Sequence, residues 1–176
     1  AYRAAQAASG VAPQFLHSIY LINLASGDEL LRERSLRSLV TYLQWAERLG
    51  VDGVITHLGS GRDVGPEEAR RLIAASLERA LALAGGDTPL LLETTTGAGA
   101  LYGGTFAELG GVIDDLGRPS RLRLCLDTAH VFAGGLWDGT ADGLEALLGS
   151  LDEAAGLGRL AAVHLNDSMT DFASRR

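Results

Sequence analysis

Five short apolar runs recur along the chain, and each ends in a residue that can bind a metal ion. The runs are four to seven residues long, consist mostly of Leu, Val and Ile, and cover residues 14–17, 51–57, 89–93, 122–127 and 160–164. Runs with so little polar alternation are typical of parallel strands that are buried on both faces. Their last residues are separated by 40, 36, 34 and 37 positions, the length of one strand-plus-helix unit. We therefore predict an α/β fold with a parallel sheet.

The segments between these runs have the periodicity of amphipathic helices. Apolar residues with i, i+3, i+4, i+7 spacing begin at Leu36, Leu109 and Leu144. Ser26 with Glu29, and Thr105 with Glu108, have the spacing of capping boxes, in which a hydroxyl and a carboxylate satisfy free N–H groups of the first turn. Pro66 suits a first helical position. The alternation through five strands predicts right-handed crossovers within a single domain.

The ends of the predicted strands collect the residues that can bind a metal. The five runs end in His17, His57, Glu93, Asp127 and His164, and His130 follows three residues after Asp127. In a parallel sheet or barrel, the carboxyl ends of the strands lie at one edge, where active sites are built. A histidine at the end of one strand is more often a hydrogen-bonded structural residue. Five coincident strand ends favour a metal site instead.

The donor types narrow the choice of metal. Imidazole together with carboxylate suits zinc, iron or manganese, whereas calcium prefers oxygen ligands alone. Three strand-end histidines with two or three carboxylates exceed the needs of one four-coordinate zinc, so we predict more than one metal, with Glu93 able to bridge. Such a site can activate water and stabilise a phosphoryl displacement. Asn166 and Asp167 follow His164 and either orient ligands or form a turn.

The charge and composition limit the partners. The 15 basic residues are all arginine and face 22 acidic residues, which gives a net charge of −7 and no bulk basic footprint for DNA or an anionic membrane. Bound cations would locally reverse this field at the strand ends. Without lysine, Schiff-base chemistry is excluded. The single cysteine permits no internal disulfide, and no apolar run approaches about 18 residues. We expect a cytoplasmic monomer without a membrane span or secretory signal.

The segments around the candidate ligands resemble the endonuclease IV family, the zinc-dependent apurinic/apyrimidinic endonucleases of DNA base-excision repair. The matching segments, in the family's order and approximate spacing, are HSIYLINL at 17–24, HLGS at 57–60, LETTTG at 92–97, CLDTAHVFAG at 125–134 and HLNDS at 164–168. The resemblance implies a TIM (β/α)8 barrel of the xylose-isomerase-like type. About five of its strand-helix units are present in residues 1–176, so we expect a partial barrel that lacks its N- and C-terminal parts.

The resemblance also implies a cluster of three zinc ions in a complete chain. The ligands that it implies are His17, His57, Glu93, Asp127, His130 and His164. The first three match ligands of one zinc, and Glu93 bridges to a second zinc that Asp127 and His164 also bind. His130 matches a ligand of the third zinc. Glu93, as the bridging ligand, is the catalytic residue that the resemblance implies.

The implied substrate is double-stranded DNA with abasic sites. In the family, the positions that match Tyr20 and Leu21 enter the DNA at the abasic site and help to hold the bent duplex. The implied reaction is attack of zinc-bound hydroxide on the phosphate 5′ to the abasic sugar, which leaves a 3′-hydroxyl end. From the residues alone, Tyr20 and Leu21 can equally be a core pair in a strand or turn.

The chain departs from the family pattern at several positions. Thr94, Leu58 and Ala129 stand where the family has asparagine, proline and cysteine. None of these changes removes a ligand, although Thr94 alters the support around the ligands. The family continues beyond the match to Ser174-Arg175 into further zinc ligands. We therefore expect residues 1–176 alone to have little or no nuclease activity.

Two other interpretations remain open. A sugar isomerase or epimerase on a xylose-isomerase-like barrel would use one divalent metal, for which Glu93, Asp127 and His164 could serve. His17 and His57 argue against this interpretation, because such an enzyme needs no second imidazole-rich site there. The other interpretation is a non-catalytic remnant that binds metal or DNA. A metal count separates the two enzymes.

Overall fold

The computed structural model describes residues 1–176, which form one parallel sheet covered by helices. The strands are β1 (Phe15–His17), β2 (Gly53–Thr56), β3 (Leu90–Glu93), β4 (Leu122–Asp127) and β5 (Leu160–His164). The helices are α1 (Tyr2–Ser9), α2 (Glu29–Leu49), α3 (Pro66–Ala84), α4 (Phe106–Asp115), α5 (Thr128–Ala133) and α6 (Ala141–Ala155). Each strand pairs in parallel with the next, in the order β1-β2-β3-β4-β5. The predicted alternation is confirmed, and the last two strands have the predicted bounds.

The sheet curls into part of a barrel. Strands β1 and β5 lie at opposite edges of the sheet. In a flat five-stranded sheet they would be about 19 Å apart, at roughly 4.8 Å for each step between strands. Yet the rings of His17 on β1 and His164 on β5 are stacked with their centroids 5.7 Å apart. The fold is therefore the predicted TIM-barrel type, with five parallel strands, four of them followed by a helix, and no closure between β1 and β5.

The two faces of the sheet carry different cores. The outer face packs on the helices and holds the main core, to which Leu90 and Leu92 of β3 belong. The inner face holds a small cluster, formed by Ile55, Leu91 and Cys125 with Phe15 and Ala162 packed against it. One residue of this cluster comes from each strand. Because side chains alternate between the faces of a strand, the residue two positions later points to the same side. That residue is the candidate ligand at all five strand ends.

The helix starts agree with the sequence in two cases and disagree in one. Thr105 and Glu108 form the predicted capping box at the start of α4, and Pro66 occupies the first turn of α3. The predicted Ser26 cap is wrong, because Asp28 accepts the first free N–H groups of α2. The hydroxyl of Ser26 instead donates to Asp63. Helices α1 and α5 were not predicted.

The predicted burial of strands on both faces holds only for the central strands. Every residue of β2 and β3 is buried. The residues of β1 and β5 are half-buried or exposed, because each of these edge strands has a neighbour on one side only. None of the helices combines the length and apolar character that a membrane crossing requires.

Candidate metal centre

The candidate ligands converge on the carboxylate of Glu93, which is only 1% exposed at the end of β3. Its Oε2 lies 2.7 Å from Nε2 of His17 and 3.4 Å from Nε2 of His57. Its Oε1 lies 3.0 Å from Nδ1 of His164 and 3.6 Å from Nδ1 of His130. One buried carboxylate therefore has an imidazole on every side, contributed by β1, β5 and the segments that follow β2 and β4.

Glu93 belongs to two groups of ligand atoms. Within each group, all the ligand atoms lie within 4.8 Å of one another: the first consists of His17, Glu93 and His164, and the second of Glu93, Asp127 and His130. Because the two groups share Glu93, two cations could be held side by side with this carboxylate between them. The structure thus brings five of the predicted ligands into two adjoining sets.

His57, the remaining predicted ligand, lies in neither group but borders both. Its ring centroid is 5.5 Å from that of His17 and 5.6 Å from that of His130. Its Nδ1 atom is buried and has no hydrogen-bond partner in the protein. A buried polar atom without a partner is costly, and a lone pair on imidazole nitrogen is a good ligand for zinc. Because Nε2 is the nitrogen of His57 that faces Glu93, the fit to a bound transition metal rests on the donor set, in which imidazole nitrogens converge with carboxylate oxygens.

Backbone carbonyls orient two of the imidazole rings. Nδ1 of His17 lies 2.8 Å from the carbonyl oxygen of Ser18, and Nδ1 of His130 lies 2.8 Å from that of Thr94. A carbonyl can only accept, so each Nδ1 carries the hydrogen and donates it. For His17 this tautomer is the usual support of a metal-binding histidine, since it leaves Nε2, the nitrogen that faces Glu93, for the metal.

Asp127 is held by three contacts. Its Oδ1 accepts from the backbone N–H of His130 at 2.9 Å, which caps α5, and its Oδ2 accepts from the side-chain amide of Asn166 at 2.6 Å. Its own N–H donates to the hydroxyl of Thr94 at 2.9 Å. Asn166 is therefore an orienting residue, whereas Asp167 accepts from the N–H of Ser168 in a turn. The sequence left these two roles open for Asn166 and Asp167.

The supporting role of Thr94 was only partly visible in the sequence. Its hydroxyl positions Asp127 and its carbonyl positions His130. Asn23 was missed altogether. Its side chain joins the loop after β1 to the loop after β2, because Oδ1 accepts from the N–H of Ser60 at 3.1 Å and Nδ2 donates to the Ser60 carbonyl at 3.2 Å. Nothing in its sequence neighbourhood separates this asparagine from a turn former.

Burial and the neighbouring groups have opposite effects on the pKa values of the cluster. The hydrogen bond to Glu93 raises the pKa of His17, although burial opposes this shift. Burial lowers the pKa of His57. Burial alone would raise the pKa of Glu93, but the hydrogen bond from His17 and the charges of His57 and His164 outweigh it and lower the pKa. Glu93 is therefore a carboxylate at neutral pH, the form that binds a cation.

Tyr20 and Leu21 lie on the surface beside this cluster. Their side chains are 67% and 75% exposed, so the interpretation as a core pair is wrong. The ring of Tyr20 meets the ring of His57 edge-on, with 5.6 Å between the centroids. Two large apolar side chains therefore project from the loop after β1 at the rim of the candidate centre.

Comparisons with known proteins place this geometry in a family. The family described as "Xylose isomerase-like TIM barrel" matches residues 1–176. The chain is 40% identical over 175 residues to the "Probable endonuclease 4" of Methanoculleus marisnigri, with 99% of the chain and 62% of that relative covered. It is 38% identical over 176 residues to the protein of the same name from Natronomonas pharaonis, again with 62% of the relative covered. The chain thus spans about three fifths of the length of these relatives.

Solved structures give the same result. The crystal structure of endonuclease IV from Thermus thermophilus matches with a TM-score of 0.84 and 39% identity, over 99% of this chain and 61% of that one. A D-tagatose 3-epimerase-like protein matches with a TM-score of 0.76 but only 17% identity, over 94% of this chain and 60% of that one, which shows a common fold alone. The chain therefore belongs to the xylose isomerase-like TIM barrel family and, as its strand-end segments indicate, resembles the endonuclease IV members of it.

Proposed function

We propose that this chain is the greater part of a zinc-dependent endonuclease of DNA base-excision repair, which cleaves the phosphodiester 5′ to abasic sites in double-stranded DNA. The observation that carries the proposal is the position of Glu93. Its buried carboxylate is shared by two groups of ligand atoms and faces imidazoles from four different loops and strands. A centre that holds adjacent cations is suited to the displacement of a phosphoryl group.

The identity of the metal is inferred from the donors. Histidine nitrogen and carboxylate oxygen are good zinc ligands, and neither group of ligand atoms includes the only cysteine. We propose that the complete protein would bind three zinc ions. Following the resemblance, Glu93 would serve two of them and His130 the third, although His130 here shares a group of ligand atoms with Glu93 and Asp127. When bound, zinc would supply a water of lowered pKa and positive charge opposite the scissile phosphate.

The protein residues have separate tasks in this proposal. Glu93 keeps its negative charge and holds two cations together. Asn166 donates to the carboxylate of Asp127 and fixes its orientation, while Thr94 accepts the backbone N–H of Asp127 and fixes the main chain there. Tyr20 and Leu21, which project at the rim, enter the DNA where a base is missing. An abasic gap offers space for an apolar side chain without the cost of displacing a stacked base.

Cleavage of a duplex with a single abasic site tests the proposal. In the complete gene product, His57→Ala and Glu93→Ala are each expected to lower cleavage about a hundredfold or more, and a strong chelator is expected to abolish it. Glu78→Ala, which removes an exposed carboxylate on α3, is the matched control. Extension of the cleaved strand by a DNA polymerase checks for a 3′-hydroxyl end. Near-normal cleavage by either ligand variant would contradict the assignment.

Metal analysis separates this proposal from the sugar isomerase interpretation. Two or three zinc ions in each complete chain support the endonuclease, whereas a single exchangeable manganese or magnesium supports the isomerase. The convergence of His17 and His57 on the same carboxylate oxygen favours the endonuclease. Little cleavage is expected from residues 1–176 alone, and robust cleavage by that piece would contradict this expectation.

A further inference from the structure

Most arginines of this acidic chain already have a partner. They pair with acids, as Arg70 does with Asp115, or donate to backbone carbonyls, as Arg121 does. Arg48 stacks on Trp45. Four arginines have none of these contacts: they form no ion pair with an acid, donate no side-chain hydrogen bond and stack on no aromatic ring. They are Arg34, Arg62, Arg175 and Arg176. These four guanidinium groups therefore have no partner within the protein.

Two of these arginines flank the exposed side chains at the rim. Arg34, in the second turn of α2, lines a groove together with Ile19 and Leu21. Arg62, in the loop after β2, lines a broader groove together with Tyr20. The ring of Tyr20 in turn lies against His57. Both arginines therefore lie beside residues that the proposed function assigns to DNA contact.

Arg62 also borders a second cleft with another unpaired arginine. This cleft, of about 280 Å³, is lined by Arg62, Arg175, Thr96 and Gly134, among others. The N–H of Gly134 donates to the carbonyl of His130 at 2.7 Å, so the cleft reaches the end of α5, one helical turn from His130. We call Arg34, Arg62 and Arg175 the arginine track, since they follow one another from Leu21 past Tyr20 to the segment after His130.

The acids beside the arginine track are already committed to other donors. Glu33 accepts from Arg37 and Arg79. Asp63 accepts from the N–H of Gly27 at 2.8 Å. Glu108, which lines the same cleft as Arg62, accepts from the N–H of Gly103 at 3.0 Å and caps α4. These acids therefore form no ion pair with the track, and the N–H donors of its guanidinium groups stay free for a ligand outside the chain.

We propose that the arginine track binds backbone phosphates of duplex DNA beside the metal centre. This inference rests on the proposed function and adds to it the residues that supply the electrostatic part of DNA affinity. Guanidinium groups bind phosphate oxygens with paired hydrogen bonds and keep their charge at every accessible pH. The track gives a chain of net charge −7 guanidinium groups that are free to contact a DNA substrate beside Tyr20 and Leu21.

The salt dependence of binding to an undamaged duplex tests this inference, because phosphate contacts do not need the lesion. Arg34→Gln, Arg62→Gln and Arg175→Gln are compared with wild type by fluorescence anisotropy between 50 and 300 mM NaCl. Each lost phosphate contact is expected to reduce the slope of log Kd against log salt by about 0.9, and to weaken binding at 0.1 M salt about five- to tenfold. Arg48→Gln is the control, since Arg48 is exposed on the same helix as Arg34, about 21 Å further along.

The outcomes separate the arginine track from the proposed function. Slopes that fall in the three track variants and not in Arg48→Gln support the track. Unchanged slopes in all three, an equal loss in Arg48→Gln, or a wild-type affinity that is independent of salt would overturn it. Cleavage of an abasic duplex is measured on the same proteins. If the wild type cleaves the abasic duplex but the slopes of the track variants are unchanged, the result counts against the track alone. If the slopes fall in the track variants but the wild type does not cleave, the result counts against the endonuclease alone.

Discussion

Nε2 of His17 lies 2.7 Å from Oε2 of Glu93, although 76 residues separate them in the sequence and strand β2 lies between their strands. The contact exists because the sheet curls and because both residues end their strands on the inner face. Nδ1 of the same ring donates to the Ser18 carbonyl, so both nitrogens of His17 carry a hydrogen in this arrangement. A bound cation would take the place of the Nε2 proton.

The first prediction concerns stability against pH with a chelator present. The pKa of His17 is raised above its ordinary 6.5, so its contribution is complete below pH 6.5 and is lost as pH rises through the raised value. The pKa of Glu93 is lowered below its ordinary 4.5, so its contribution is complete above pH 4.5 and is lost as pH falls through the lowered value. The contact between His17 and Glu93 should therefore stabilise the fold most between pH 4.5 and pH 6.5.

Urea denaturation of wild type and Glu93→Gln at several pH values measures this effect. The difference in free energy of unfolding should be largest between pH 4.5 and 6.5 and should shrink as pH rises above 6.5 through the raised pKa of His17. The lowered pKa of His57 disfavours the fold at acid pH, and comparison with a His57→Ala background removes that term. A difference that stays constant between pH 5 and 8 would show that the contact contributes no charge interaction.

The second prediction concerns Thr94, which is 2% exposed and whose hydroxyl accepts the N–H of Asp127. Thr94→Val keeps the shape but leaves that buried N–H without a partner. We expect a loss of about 1–3 kcal/mol in the free energy of unfolding, measured by urea denaturation. Thr94→Ser keeps the acceptor and should lose less. Thr41→Val, at an exposed position of α2, should change stability by no more than about 0.5 kcal/mol, and an equal loss there would contradict the explanation.

The strands and the convergence of the candidate ligands could be predicted from the sequence because both depend on local pattern. Leu90–Glu93 is a run of three leucines that ends in a carboxylate, and burial of that carboxylate without a partner would be costly. The regular spacing of the five strand ends then placed the ligands at one edge. What the spacing could not give was the pairing within that edge, since it depends on how far the sheet curls.

One prediction was wrong and one residue was missed because the side chains concerned bond to residues far away in the sequence. Ser26 has the spacing of a helix cap, but Asp63 takes its hydroxyl from 37 residues away, and Asp28 caps α2 instead. Asn23 was not singled out in the sequence, and its side chain holds the loop at Ser60, also 37 residues away. Such contacts are set by which loops meet at the rim, and no periodicity in the sequence records this.

The third prediction concerns the only cysteine. Cys125 has no exposed surface on the inner face of the sheet, and burial raises its pKa to about 12. At pH 8 only about one thiol in ten thousand is then ionised, so reaction with a disulfide reagent such as DTNB should be negligible in the folded protein. One thiol per chain should react promptly in urea. Cys125→Ala provides the blank, and prompt labelling without denaturant would mean that the inner face opens readily.

The fourth prediction concerns the two apolar side chains at the rim. Tyr20 and Leu21 are mostly exposed, so Tyr20→Ala and Leu21→Ala should change the free energy of unfolding by no more than about 0.5 kcal/mol. If they enter the DNA at a missing base, each variant should weaken binding to a duplex with a tetrahydrofuran abasic site roughly tenfold, while binding to the intact duplex stays the same. Fluorescence anisotropy on the two duplexes gives the ratio.

The matched control for these variants is Leu83→Ala, which removes an apolar side chain that is 59% exposed on α3. It should alter neither stability nor the ratio of the two affinities. Only a side chain that occupies the abasic gap distinguishes a missing base from a stacked one. An equal loss of affinity for both duplexes in the Tyr20 and Leu21 variants would therefore mean that the pair contacts the DNA backbone in general. A loss of folding stability instead would mean that Tyr20 supports the ring of His57, which its edge contact at 5.6 Å would then explain.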